Sequence, residues 1–265
     1  HSLSPVVYEE TLRFADGGYQ GRFEITKSAI RSATGEVTGL LCICRDLAER
    51  SQARKEIERL EFFDVLTGLP NRRMLMDRLE WSIRACKLRA SFAALLFIDP
   101  DNFKDLNDSL GHQQGDRLLC EVGKRLIASV RSGDVVARFG GDEFVVLVEH
   151  LGGLREQAES HVRAVVEHLI GRFHQPFALA GGAYYSTPSI GVTVFGDEEE
   201  HTAEELLKRV DMAMYEAKSA GRNTQRFFDP KMQAVVNARA HLESDLRHAI
   251  QEGELRVFYQ PVMNG

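Results

Sequence analysis

Residues 134–149 read DVVARFGGDEFVVLVE. Two runs rich in apolar and β-branched residues, 134–139 and 143–149, flank Gly140-Gly141-Asp142, which is the turn chemistry of a β-hairpin. Upstream, FAALLFI at 92–98 is apolar at every position. An unbroken apolar run of strand length predicts a strand buried on both faces, because a half-solvated one would alternate. Helical periodicity fills the gaps. Asn71 is a good N-cap for a helix running to about Lys87, with Met74, Leu75, Leu79 and Ile83 inward. A second helix, from about 114 to 130, turns Leu118, Leu119, Val122 and Leu126 inward. Others are predicted at about 154–172 and 202–220, the last stopping at Gly221. Strands near 174–180 and 183–195 are joined by Gly181-Gly182. Pro188, inside the second of them, points to an edge strand or a bulge.

The flanks are less complete. Residues 6–14, 21–30 and 37–45 read as three strands with no layer to cover them, a poor domain by themselves. Residues 46–62 are charged and helical, with Ala53, Ile57 and Leu60 on one stripe, compatible with a solvated linker helix or a short two-stranded coiled coil. After Pro230 a charged helix is expected to about Gln251, then a strand at 255–259. The chain opens on His1-Ser2 and both flanks look cut, so the expectation is a piece of a longer protein.

Composition narrows the function classes. The 265 residues carry 33 Lys and Arg against 39 Asp and Glu, a net charge of −6. That balance excludes a protein that coats nucleic acid, which needs a basic excess. A 43% hydrophobic and 27% charged content is that of a globular chain. Cysteines 42, 44, 86 and 120 form no CxxC pair and are read as reduced, small apolar residues in a cytoplasmic protein. No apolar run is long enough to span a bilayer, and no signal peptide is visible, although the parent could carry an anchor elsewhere.

The residues that suggest chemistry are acidic and cationic. Asp99 and Asp101 stand where the buried strand runs out, and Asp142 and Glu143 at the hairpin tip. Such carboxylates are ordinary surface residues singly. Two clusters on adjacent strands, beside glycines that let phosphates approach the backbone, could hold Mg²⁺. Lys218 and Arg222 lie four apart at a helix C-terminus. There they would either complement the helix dipole or clamp a triphosphate. Arg131-Ser132-Gly133-Asp134 is an RxxD sequence six residues before Gly140, unremarkable alone as a helix-to-strand junction.

DVLTGLPNRR at 64–73, FIDPDNFKDLNDSLGHQQGD at 97–116, RFGGDEF at 138–144 and AKSAGRN at 217–223 together resemble the GGDEF family of diguanylate cyclases. The resemblance implies an α+β, nucleotidyl-cyclase-like fold, a ferredoxin-like palm whose central, mostly antiparallel sheet is flanked by helices. It implies condensation of two GTP to cyclic di-GMP with release of two pyrophosphates, with Mg²⁺ or Mn²⁺ as cofactor. Asp99 and Glu143 then match metal ligands, joined by the Pro100 carbonyl. Asp142 matches a metal-site residue and candidate general base, so Asp142 and Glu143 form the catalytic pair. Asn107 and Asp116 match guanine readers and His112 a substrate contact. Asn102, Phe103, Lys104, Lys218 and Arg222, with Gly140 and Gly141 at the hairpin, match the set that holds the substrate. Arg131 and Asp134 match an inhibitory product site. Proline at 100 departs from the aliphatic residue common there, but keeps the carbonyl.

Chemistry supports these roles. A carboxylate accepts both guanine donors, N1–H and N2–H₂, and adenine lacks that pair. Phosphoryl transfer needs positioning and charge neutralisation more than covalent help. Residues 1–45 further resemble the last strands of a PAS sensor. Residues 46–63 follow as a signalling helix, 64–228 as the cyclase domain, 229–253 as a linker helix, and 254–265 resemble the first strand of an EAL phosphodiesterase domain. The expected partners are GTP, cyclic di-GMP and a second copy, since one domain would hold one GTP. The alternative is a catalytically silent GTP-binding module that controls an adjacent phosphodiesterase. A third reading, a structural dimerisation unit, leaves the carboxylates, glycines and cations unexplained.

Overall fold

The structure is a computed structural model and describes residues 5–13, 20–180, 182–196, 200–232, 245 and 248–254. The chain divides into two units, His1–Glu61 and Phe62–Gly265.

The first unit is an antiparallel sheet of β1 (Val6–Arg13), β2 (Gln20–Arg31) and β3 (Val37–Asp46), in that order, followed by α1 (Ala48–Phe62). The three strands stand within a residue of their expected bounds. Phe23 and Ile25 are buried, while Val7, Leu40 and Ile43 are exposed. Cys42 and Cys44 share a face, with their Sγ atoms 3.8 Å apart, but both are exposed. The reading of all four cysteines as small apolar residues therefore holds best for buried Cys86.

The second unit runs α2 (Arg72–Arg89), β4 (Ala93–Pro100), α3 (Phe103–Leu110), α4 (His112–Ser129), β5 (Val135–Gly140), β6 (Glu143–Val148), α5 (Arg155–Phe173), β7 (Phe177–Leu179), β8 (Gly182–Tyr184), β9 (Pro188–Phe195), α6 (Ala203–Ser219) and β10 (Thr224–Phe227). Its main sheet has the order β10-β9-β4-β6-β5, antiparallel except where β10 runs parallel to β9. This is the mixed, mostly antiparallel α+β architecture the sequence implies. β4 lies at the centre and is buried at every residue. Alternate β4 side chains therefore feed two cores. Ala94, Leu96 and Ile98 pack with α4 and α5 residues such as Leu118, Val122, Val162 and Leu169. Ala93, Leu95 and Phe97 pack with Leu75 and Leu79 of α2 and Leu206 and Val210 of α6. Each of the larger of these side chains contributes roughly 1.5–3 kcal/mol by leaving water, and the alanines less.

Gly191 sets how closely α6 rides on β9. A Cβ there would stand 2.1 Å from the Val210 carbonyl oxygen and 2.4 Å from the Met214 amide nitrogen. No other residue admits that approach, and it is the approach that brings the end of α6 to the end of β4.

Several expectations need correction. The helix expected at about 114–130 is α4, and a short helix the sequence reading did not expect, α3, precedes it, the two separated at Gly111 with φ +82°. Pro188 is on neither an edge nor a bulge. It is the first residue of β9, an internal strand, and pairs with Pro100 where the β4–β9 ladder ends and no amide is needed. The strand expected over 183–195 is interrupted, giving β8 and β9. The centre of the buried stripe on α2 is Leu75, Leu79, Ser82 and Cys86, with Met74 and Ile83 half-buried beside it. Of the helix expected after Pro230, residues 230–232, 245 and 248–251 are helical and the rest lie outside the described residues, as does the strand expected at 255–259.

Candidate active site

β4 delivers Asp99 and Pro100 as its last two residues. Asp99 points to the α2–α6 side of the sheet, as Phe97 does two residues earlier. Its carboxylate is 5% exposed, and Lys218 near the end of α6 donates to Oδ2 at 2.6 Å. Burial pushes the Asp99 carboxyl up to about 6, with Asp142 and Asp101 adding to the rise and Lys218 opposing it. Glu143, first residue of β6, faces the same side and is also raised. Burial is the main cause, the negative charges of Asp99, Asp211 and Asp142 add to it, and Lys218 opposes it. Asp142 sits half-buried at the hairpin tip between them.

The hairpin is braced. Arg138 donates to both oxygens of Asp64, at 3.0 and 3.1 Å, and through Nε and a terminal nitrogen to the Gly141 carbonyl, at 3.0 and 2.6 Å. Burial opposes ionisation of Asp64, but Thr67 hydroxyl and amide donors and the Arg138 guanidinium hold its carboxyl below the ordinary value. Asn71 caps α2 as expected, accepting from the Met74 amide at 3.1 Å.

Beyond β4 the chain turns into α3 through Asn102 in the left-handed region, φ +60°. The Asn102 side chain makes no capping bond. The first-turn amides of α3, beginning at Phe103 and Lys104, are therefore left without a side-chain acceptor. Asn107 lies on α3, and its buried Oδ1 has no hydrogen-bond partner. Gly115 of α4 faces it so closely that a Cβ would come 2.0 Å from that oxygen. His112 opens α4 and Asp116 follows one turn on, both exposed. Lys104 and Arg222 are exposed as well.

The expected residues thus fall into three places. Asp99, Pro100, Asp142, Glu143 and Lys218 gather at the end of β4 and the hairpin tip. Asn102, Phe103, Lys104, Asn107, His112 and Asp116 line the α3–α4 turn that follows β4 directly. Arg131 and Asp134 stand apart at the start of β5, the opposite end from Gly140 and about 20 Å along the strand. There Asp134 accepts from the Arg131 amide at 3.0 Å and the Glu149 amide at 3.2 Å, while the Arg131 guanidinium, 3.8 Å away, is largely exposed.

Three contributors escaped the sequence reading. Asp211 lines a cavity of about 390 Å³ with Glu143, Arg72 and Lys208, and burial raises its carboxyl, with Lys218 opposing. Its signal was available, two helical turns before Lys218 on the same face. Arg72 and Arg138 also line a cleft of about 670 Å³ that borders Gly140 and Gly141.

The donor set fits a hard divalent cation. Asp99 and Glu143 offer carboxylate oxygens and Pro100 a carbonyl, and burial leaves the acids short of compensating positive charge. Among the described residues no three His, Cys, Asp or Glu side chains form a metal cluster. A cation here would draw on few side-chain oxygens, the habit of Mg²⁺, which completes its shell with water and phosphate oxygens.

Comparison with known proteins bears on the same region. Residues 61–224 match the family model for the diguanylate cyclase, GGDEF domain. The chain is 40% identical over 211 residues to MucR of Pseudomonas aeruginosa, a bifunctional diguanylate cyclase/cyclic di-GMP phosphodiesterase, covering 80% of this chain and 30% of MucR. It is 35% identical over 217 residues to NbdA of the same species, a cyclic di-GMP phosphodiesterase, covering 82% of this chain and 27% of NbdA. It therefore spans less than a third of either relative. Among solved structures, the GGDEF domain of P. aeruginosa TpbB aligns at 35% identity with a TM-score of 0.57, covering 62% of this chain and 98% of that one. The coiled coil and GGDEF domain of Caulobacter crescentus DgcB, in complex with c-di-GMP, aligns at 25% identity with a TM-score of 0.58, covering 68% and 93%. No described helix is long and apolar enough to cross a membrane. The chain belongs to the GGDEF diguanylate cyclase domain family.

Proposed function

We propose that the second unit condenses two molecules of GTP into cyclic di-GMP, each of two copies holding one GTP. The observation that carries this reading is the end of β4, where Asp99, Glu143 and Lys218 meet, followed on α3 by the buried, unpaired Asn107 oxygen. A buried acceptor without a donor is costly, and a guanine N–H relieves it where adenine offers no equivalent donor. Asp116, one helix away, would take the remaining guanine donor, and His112 would contact the same nucleotide. The α3 first-turn amides, Lys104, Lys218 and Arg222 would hold the triphosphate, and Gly140-Gly141 would let it pass close to the hairpin.

Asp99, Glu143 and the Pro100 carbonyl, with Asp142 adjacent, would hold Mg²⁺, which supplies neutralisation of charge on the phosphoryl oxygens. The ribose 3′-oxygen of one GTP attacks the α-phosphorus of the other. A new P–O bond forms, the bond to pyrophosphate breaks, and the 3′-hydroxyl proton would pass to the Asp142 carboxylate and on to water. Repetition with the roles exchanged closes the ring. Lys218 turning from Asp99 to the phosphates would exchange one anion for another at little electrostatic cost.

Arg131, with its guanidinium exposed, and Asp134 would bind the product and restrain the enzyme. Micromolar binding of cyclic di-GMP, lost in Arg131→Ala, is the calorimetric expectation. The similarity to NbdA, a cyclic di-GMP phosphodiesterase, favours a second reading, a silent GTP-binding module that tunes a phosphodiesterase elsewhere in a longer chain. Calorimetry with GTP and ATP, followed by product analysis, separates the two. Binding of GTP over ATP with cyclic di-GMP formed supports the cyclase, the same binding without product supports the regulator, and equal binding of ATP contradicts both.

A further inference from the structure

Of Asp99, Asp101, Asp142 and Glu143, Asp101 is the one that the proposed chemistry does not use, and it is 3% exposed. Its carboxylate is already occupied. Oδ1 accepts from Ser189 Oγ at 2.6 Å, and Oδ2 from Thr187 Oγ1 at 2.6 Å and the Asn223 amide at 3.0 Å. Its own amide donates to the Thr187 carbonyl at 2.7 Å. An ionised carboxylate has about four acceptor sites, and three are filled by protein donors.

Those donors come from segments far apart in sequence. Thr187 and Ser189 flank the start of β9. Asn223 belongs to the loop after α6, which carries Arg222. That loop has an unusual backbone, since Gly221, Arg222 and Asn223 all have positive φ, at +110°, +63° and +45°. Only glycine enters that region freely, so two consecutive side-chain-bearing residues there must be held. The Arg222 amide donates to the Ala217 carbonyl at 3.2 Å, and Asn223 Oδ1 lies 3.3 Å from His174 Nε2. The charge-assisted bond from the Asn223 amide to Asp101 is the shortest of the three.

We propose that Asp101 is a positioning residue, a carboxylate clamp that ties the Gly221–Asn223 loop to the ends of β4 and β9 and so aims Arg222 at the triphosphate, and that it is not a metal ligand. The role of Arg222 rests on the nucleotide reading above, whereas the clamp itself does not. Asp101→Asn preserves size but removes the charge and one of the two acceptor oxygens, so three donors are left with a single neutral acceptor and the bond from the Asn223 N–H loses its charge assistance.

Hydrogen exchange of the amides of residues 221–224 tests the clamp without nucleotide. Faster exchange there in Asp101→Asn, with the helices still protected, is expected, and unchanged exchange overturns the proposal. Ser189→Ala and Thr187→Val, each removing one donor, should give smaller increases, so that a misfolded Asp101→Asn does not decide the matter. A non-hydrolysable GTP analogue with Mg²⁺ tests the consequence by calorimetry. Asp101→Asn and Arg222→Ala should each weaken binding about ten-fold, and the double variant should be no weaker than Arg222→Ala alone. Additive losses overturn the link to Arg222. Mn²⁺ affinity, read by electron paramagnetic resonance, should be unchanged in Asp101→Asn, and its loss would make Asp101 a ligand. If the native chain binds no nucleotide, the nucleotide reading falls and the exchange result still judges the clamp.

Discussion

Replacing Asp99 by Asn should make the domain more stable at neutral pH while removing its activity. Burial lifts this carboxyl from 3.8 to about 6 despite the ammonium of Lys218 at 2.6 Å. An acid whose pKa is raised by folding ionises first in the unfolded chain. Folding stability is therefore intact below about pH 4, declines as pH rises through about 6, and is lowest above that. A shift of about two units at 1.36 kcal/mol each amounts to about 3 kcal/mol at pH 8. Asparagine imitates the neutral acid, and Lys218, about one-third exposed, can turn to water. Urea unfolding of both proteins, with a chelator present, at pH 4, 6 and 8 measures the difference, and effects of groups distant from Asp99 cancel between them. Asp99→Asn should match the parent at pH 4 and exceed it by up to about 3 kcal/mol at pH 8. A variant equal or weaker at pH 8, or a difference that ignores pH, refutes the claim that this carboxylate is held at a cost.

Other perturbations separate the parts of the site. Arg138→Ala removes the brace between Asp64 and Gly141 and should cost about 2 kcal/mol in urea unfolding, with turnover falling more than affinity for GTP. A raised KM with unchanged kcat would instead put Arg138 on the substrate. Gly115→Ala should drive the Asn107 carboxamide aside, raising the KM for GTP while the thermal midpoint barely moves, and unchanged kinetics would remove Asn107 from base reading. Gly191→Ala, whose Cβ would meet backbone atoms of α6, should lose about 3 kcal/mol or fail to fold. A well-folded variant of native stability would contradict the close approach of α6 to β9.

Much of this molecule can be read along the chain where the signal is local. The unbroken apolar run of β4 marks a central strand because both of its faces meet helices. The glycine pair marks the hairpin, and Asn71 marks the start of α2, since turns and caps depend on adjacent residues. The four family-like blocks locate the strand-end acids and the α6 cations. What escaped depends on partners distant in sequence. α3 is short and mostly polar, with Phe103, Leu106 and Leu110 as its apolar residues, and its helix is held by packing on α4. Pro188 looked like an edge marker because its pairing with Pro100 at the end of a ladder is a tertiary fact. Asp101 looked like a second metal acid because Thr187, Ser189 and Asn223 lie 86, 88 and 122 residues away. The Arg138–Asp64 brace, 74 residues apart, was invisible for the same reason.

The most direct measurement is the yield of cyclic di-GMP from GTP and Mg²⁺, followed by chromatography over a range of protein concentrations, for the native chain and Glu143→Gln. The expected result is product whose rate per molecule rises with protein concentration, as pairing of two copies requires, and none from Glu143→Gln. Tight GTP binding with no product at any concentration would contradict it.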